Sequence, residues 1–143
     1  MLKGIDPLLG PDLLHALAAM GHGDEIAIVY ANFPAAATAR RLIRVDGAGA
    51  PAVLSAVLSL LPLDTFTDTP AAVMAVVGDA GALPPPVLEF QSILDGASKA
   101  SVRMARLERS DFYERARRAF AVVATGERRF YGNILLTKGV VPP

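Results

Sequence analysis

The sequence predicts a single α/β domain, folded as a three-layer α/β/α sandwich, and three observations carry that expectation. Short apolar strands alternate with helical segments along the chain, which favours a central sheet covered by helices on both faces. Two strand candidates, EIAIVYA (25–31) and AAVMAVV (71–77), are apolar at nearly every position, the pattern of strands with no wet side. The chain has 143 residues, 52% apolar and 20% charged, enough for one packed core, and no repeat, low-complexity tract or linker divides it.

Each element has its own justification. Pro11 suits the first helical position, and Leu13, Leu14, Leu17, Ala18 and Met20 form the apolar stripe of a first helix. Gly21 is placed to end it as a left-handed cap. The strand 25–31 follows, closed by Phe33-Pro34, because the residue before proline prefers extended backbone. LIRVD (42–46) is a second strand, Pro51 to Leu61 an apolar helix stopped by Pro62, and 71–77 a third strand ended by Gly78. A weaker helix is expected at 86–95, after three prolines, and VRMARLE (102–108) alternates as a strand does. Asp111 with Glu114 resembles a capping box opening a helix on which Phe112, Ala116, Ala119, Phe120 and Val123 share a face, ended by Gly126. NILLTKGV (133–140) supplies the last strand.

Composition narrows the function. Fourteen Lys and Arg balance fourteen Asp and Glu, so no net field draws the chain to nucleic acid or a membrane surface. Cysteine is absent, which removes disulfide and thiolate chemistry. The N-terminus lacks the apolar run of a signal peptide, and no stretch approaches roughly 18 uninterrupted apolar residues. A cytoplasmic location is the resulting expectation. A mean hydropathy of +0.40 is high for so short a chain and predicts apolar surface covered by further subunits, a homo-oligomer.

Candidate chemistry is sparse. Of the two histidines, His15 faces away from the apolar stripe and reads as solvated. His22 lies between Gly21 and Gly23, which permit unusual turns and close approach of a ligand. An imidazole there could exchange protons near neutral pH. Spacing alone slightly favours a helix cap and surface turn, with Asp24 and Glu25 either orienting the ring or solvating the turn. No metal-ligand spacing, phosphate loop or nucleophile elbow is present, so no metal or cofactor is expected. The arginines at 40, 41 and 44, and at 115, 117 and 118, read as solvated faces or intersubunit ion pairs. Tyr131, Gly132 and Asn133 precede the last strand, where a phenol and an amide could both meet a polar ligand. Taken alone, Tyr-Gly-Asn reads more simply as a turn.

Together, MLKGIDPLLGPDLLHALAAMGHGDEI, the ANFP after the first strand, IRVDG (43–47), FYERARRAFAVVATGER (112–128) and YGNILLTKGV (131–140) resemble the L-fucose mutarotase/D-ribose pyranase family nearly end to end. GHGDE, FYERA and YGN are more similar to its fucose branch. The resemblance implies a cofactor-free isomerase that interconverts anomers or ring forms of free monosaccharides, with L-fucose or a similar sugar as substrate. It also implies a sandwich of that family's type with a mixed central sheet, and a ring-shaped homo-oligomer, commonly a decamer. His22 falls on the family's proton-transferring histidine, Arg109 on the basic sugar contact, and Tyr131, Gly132 and Asn133 on the sugar-binding segment. One position departs. Where the family's strand ends in aspartate, this chain has Tyr30, a phenol with a reference pKa of about 10.

Three readings of Tyr30 follow: a variation in which the phenol bonds the sugar or His22 and activity persists, a pocket that binds sugar with altered specificity or without catalysis, or an isolated substitution. A ribose-type pyranase is a further alternative. Residues 22 and 30 would lie roughly 26 Å apart on an extended path. They share a pocket only if the GHGD loop folds back or if different subunits supply them.

Overall fold

The computed structural model describes all 143 residues. Its elements are α1 (Pro11–Ala19), β1 (Glu25–Val29), α2 (Ala35–Thr38), β2 (Leu42–Val45), α3 (Ala50–Leu58), β3 (Ala71–Met74), α4 (Pro85–Ser98), β4 (Met104–Leu107), α5 (Arg109–Arg118), β5 (Ala121–Thr125) and β6 (Ile134–Thr137). The six strands form one sheet in the order β2-β5-β1-β6-β3-β4. β6 is antiparallel to both β1 and β3, and the other pairings are parallel. The expected mixed sheet and three layers are present.

Alternation along β1 builds both cores. Ile26 and Ile28 pack with Leu13, Val53 and Phe90 of α1, α3 and α4. Ala27 and Val29 turn the other way, towards Phe33, Phe112 and Ala116 on the side of α2 and α5. All four strand residues are inaccessible to solvent, which is why the segment reads as continuously apolar. Burying one such side chain contributes about 1.5–3 kcal/mol.

Several expected elements differ. AVVAT (121–125) is a strand, not the tail of the preceding helix. Three arginines fill the last turn of α5, Ala119 is extended at ψ 147°, and residues 121–125 are all buried between β1 and β2. A short apolar run cannot be assigned by period alone, and the 112/116/119/120/123 spacing imitated a helix face. α5 also begins two residues early and has no side-chain cap. Asp111 sits in its first turn, and Glu114 pairs with Arg117 at 3.1 Å. β3 stops at Met74, so Val77 is exposed. On α1, Ala16 is buried and Ala18 is exposed. That helix ends on Met20 in extended conformation rather than on a left-handed Gly21, because Lys138 Nζ donates to the carbonyls of Leu17 and Met20 at 2.8 and 2.6 Å.

The β1–β6 pairing positions the candidate residues. Glu25 lies opposite Thr137 and Ile28 opposite Ile134. The GHGD loop entering β1 is therefore beside Lys138, and Tyr30 leaving β1 is beside Asn133.

Candidate functional site

At the entry to β1 the chain presents a histidine held by a carboxylate. The loop is pinned by two bonds to β6's end: Gly23 N–H to Lys138 O at 2.8 Å and Lys138 N–H to Asp24 O at 2.9 Å. Gly23 adopts φ +86°, a left-handed conformation that glycine takes without a Cβ clash. Gly21 donates its N–H to the Asp24 carboxylate at 2.7 Å, and Glu25 pairs with Arg115. Neither acid expected near His22 is its partner. That partner is Asp64, 42 residues on, with Oδ1 3.1 Å from His22 Nε2.

Asp64 is buried, whereas the His22 side chain keeps 46% of its exposure. The Phe66 N–H, donating to Asp64 Oδ1 at 3.1 Å, and then His22 itself hold this carboxyl below its ordinary range against the cost of burial. Asp64 is thus ionised at neutral pH and fixes the ring. The exposed Phe66 ring lies 5.2 Å from the imidazole. The only sequence signal for this pair was an acid inside LDTFTDT, a segment that turns between α3 and β3.

At the exit from β1 lies a cavity of about 220 Å³, lined by Tyr30, Met74, Val77, Arg109, Tyr113, Phe130, Tyr131 and Asn133. Four of the residues expected to bind sugar, Tyr30, Arg109, Tyr131 and Asn133, meet here from three segments. Asn133 Oδ1 accepts the Tyr30 N–H at 2.9 Å, which fixes the amide and leaves its Nδ2 donors without a partner in the chain. The Tyr131 hydroxyl accepts the Val77 N–H at 3.1 Å and retains its own proton for donation. The Arg109 guanidinium stands 5.4 Å from the centre of the Tyr113 ring. A charged fork, free amide donors and several flat rings are suited to a small polyol with apolar C–H faces.

Gly132, expected as a sugar contact, is not in the cavity wall. A Cβ there would come within 2.6 Å of Glu127 Cγ, so close packing explains this glycine. The sequence also missed Tyr113, Phe130, Glu127 and Arg129, whose types are ordinary and whose meeting depends on the fold.

His22 does not line that cavity. The loop is tied to Lys138 and does not fold back, and five residues of β1, roughly 16 Å at strand rise, separate it from Tyr30. A larger cavity, about 580 Å³, borders Asp64 between the C-terminal ends of α3 and α4 and the segment before β4, but contains none of Tyr30, Arg109, Tyr131 or Asn133. Of the arginines expected on solvated faces or in intersubunit ion pairs, Arg44 and Arg41 are exposed and also meet their own chain: Arg44 pairs with Asp46 at 2.9 Å, and Arg41 lies over the Phe120 ring at 4.0 Å.

The chain is an α/β/α sandwich with a polar, aromatic cavity at one end of its central strand and a carboxylate-bound histidine at the other, and comparison with known proteins places it in a family. The model of the RbsD / FucU transport protein family matches residues 3–141, and the chain belongs to that family. It is 51% identical to the fucose mutarotase of Homo sapiens over 146 residues, covering 98% of this chain and 94% of the relative. The solved fucose mutarotase of Streptococcus pneumoniae, in complex with L-fucose, superposes with a TM-score of 0.91 at 43% identity over 99% of this chain and 100% of the other. The Bacillus subtilis RbsD complexed with D-ribose shares the fold, with a TM-score of 0.71 at 20% identity over 99% and 100%.

Proposed function

We infer that this chain is a fucose mutarotase, an isomerase that interconverts the anomers of free L-fucose or a similar monosaccharide, with residues 1–143 acting as one domain. Full-length identity to fucose mutarotases supports the activity, and the convergence of Tyr30, Arg109, Tyr131 and Asn133 on one cavity is the observation that carries the substrate class. Opening a cyclic hemiacetal needs a proton delivered to the ring oxygen and another taken from the anomeric hydroxyl. Arg109 and the Asn133 amide would hold hydroxyls, Tyr131 would donate to or pack on the ring, and His22 would move the proton while Asp64 fixes its orientation.

The acid/base pair and the cavity lie at opposite ends of one chain, so the working site is composed from two copies: the His22 loop of one subunit closes the cavity of its neighbour. Exposed apolar side chains flank both ends, Phe66 and Val141 near the histidine, Val77 and Phe130 near the cavity. Two different patches that meet head to tail generate a ring when the rotation closes, in keeping with the decamer that the family resemblance implies. A soluble compartment such as the cytoplasm suits a free-sugar substrate, and no helix of the chain is long and apolar enough to cross a membrane.

Tyr30 stands in the cavity wall, where its phenol takes over the hydroxyl contact of an aspartate and activity persists. Saturation-transfer NMR with L-fucose and D-ribose, on this protein and on Tyr30→Asp, tests the proposal. Accelerated L-fucose exchange by the native chain supports it. Sugar binding without exchange, rescued by Tyr30→Asp, would instead make the native chain a binder on a mutarotase fold, and preference for D-ribose would make it a pyranase.

A further inference from the structure

The segment that carries Tyr131 and Asn133 is strained. Tyr131 has φ +63°, a conformation that costs a non-glycine residue roughly 1–2 kcal/mol and survives only where neighbours over-determine it. The neighbour that does so is Glu127, which is 6% exposed. Its main chain reaches the other wall of the cavity: Glu127 O accepts the Ala31 N–H at 2.8 Å, one residue past Tyr30. Its side chain passes beneath Gly132, between the two cavity residues.

The carboxylate is then fully engaged. Oε1 accepts the Arg129 N–H at 3.0 Å and Arg129 Nε at 2.9 Å, and Oε2 accepts a terminal guanidinium N–H at 3.0 Å. Gly49, which precedes the first residue of α3, sits against the same carboxylate: a Cβ there would come within 3.3 Å of Glu127 Oε2. Arg129 continues outwards to Glu89 of α4, with two contacts of 2.9 and 3.0 Å. One buried acid therefore links the exit of β1, the segment 128–133, the start of α3 and, through Arg129, α4.

We propose that Glu127 and Arg129 are a positioning pair that sets the sugar affinity of the cavity by holding Tyr131 left-handed and Asn133 against Tyr30. Neither residue lines the cavity, and neither is near His22 or Asp64, so the pair acts on binding and not on proton transfer. The proposal rests on the mutarotase reading for its kinetic form, and on geometry for the rest.

The test compares the native oligomer with Glu127→Gln, Arg129→Met and the double variant, reading KM and kcat for L-fucose exchange together with peptide-resolved hydrogen exchange. Each single variant is expected to raise KM about tenfold with kcat within threefold, and the double variant to be no worse than either single, because both break one unit. Amides in 128–133 are expected to exchange faster while β1 and β6 stay protected. Arg129→Lys, which keeps the charge and loses the fork, is expected to recover part of the loss. Lower melting temperatures with unchanged KM and unchanged exchange at 128–133 would overturn the proposal, as would a fall in kcat alone. If the native protein catalyses no exchange, the mutarotase reading falls instead. The pair is then judged by L-fucose titration and by exchange at 128–133, where no difference between native and Glu127→Gln overturns it.

Discussion

The two ends of β1 solve different problems with different materials. At the entry, the working group is an exposed imidazole on a glycine loop, fixed by one buried carboxylate and by backbone bonds to Lys138. At the exit, the groups are one amide, three phenols and one arginine, set in a cavity beside the buried Glu127. The first end can move a proton and has no cavity around its ring. The second can hold a sugar and contains no histidine. On the proposed two-subunit site, a group that reaches into another subunit has to protrude and a group that holds a ligand has to recede, which accounts for the contrast in exposure.

The largest effects should fall at the entry. His22→Ala is expected to lower L-fucose exchange at least 100-fold, the ordinary contribution of a general acid or base, while affinity measured by NMR titration changes less than threefold. A comparable loss of affinity would mean that the histidine chiefly binds. Asp64→Asn keeps the side chain's shape but removes the negative charge, and should reduce exchange about 10- to 100-fold, as loss of an orienting partner does. Because Asp64 titrates below the ordinary carboxylate range, this acid should leave the rate of the native protein unaffected between pH 5 and 8. A carbon-13 NMR titration that showed the Asp64 carboxyl itself protonating between pH 5 and 8 would contradict the assignment.

Mixing sharpens the comparison itself. His22→Ala and Arg109→Ala chains, each impaired alone, should regain activity when refolded together at equal amounts and assayed at low L-fucose. Random head-to-tail assembly leaves about a quarter of the interfaces with both an intact histidine and an intact cavity. No recovery, from chains shown to co-assemble, would place both groups of a site within one subunit.

How much of this was legible in the sequence depended on the range of the interactions. The doubly buried β1, the helix after Pro11 and the strand at β6 were readable because local period and proline punctuation decide them. His22, Tyr131 and Asn133 were candidates from their flanking residues, with a plain turn the simpler alternative, and only the motif resemblance gave them roles and added Arg109 and the departure at Tyr30. Asp64 was missed because its meeting with His22 depends on a turn between α3 and β3, a contact 42 residues apart. β5 was misread for a related reason: its five buried residues are defined by neighbours on both sides, β1 and β2, and not by their own pattern. Gly132 was carried over from the resemblance as part of the sugar-binding segment, and its spacing could not show that it packs on Glu127, whose Cγ would lie 2.6 Å from a Cβ there.

A smaller effect concerns the hinge between α1 and the histidine loop. Lys138→Met keeps the aliphatic stem and removes the ammonium that satisfies the Leu17 and Met20 carbonyls. Charge-assisted hydrogen bonds of this kind each stabilise by about 1.5–3 kcal/mol, and water can replace part of that at a half-buried site, so a loss of about 2 kcal/mol is expected in urea unfolding. Exchange should fall less than in Asp64→Asn, because the backbone bonds from residue 138 to Gly23 and Asp24 remain. An undiminished stability would assign the end of α1 to solvent rather than to this lysine.

The last effect separates the two ends by acid. Glu127 is pushed down to about 2, first by Arg129 and against the cost of burial, whereas an unfolded glutamate titrates near 4.3. A depressed carboxyl stabilises the folded state fully above its unfolded pKa, and that stabilisation is lost as pH falls through the folded value. The window is therefore about pH 4.5 to 2, and the half-exposed partner reduces the amount to on the order of 1–2 kcal/mol. Asp64 loses its contribution on the same side of neutrality. Native protein should thus lose stability in urea on acidification below about pH 4.5, and Glu127→Gln should show a shallower decline there because it has already lost the titrating group. Identical slopes for the two proteins would mean that the Glu127–Arg129 contact contributes nothing to the folded state, and that the exit of β1 is braced by packing alone.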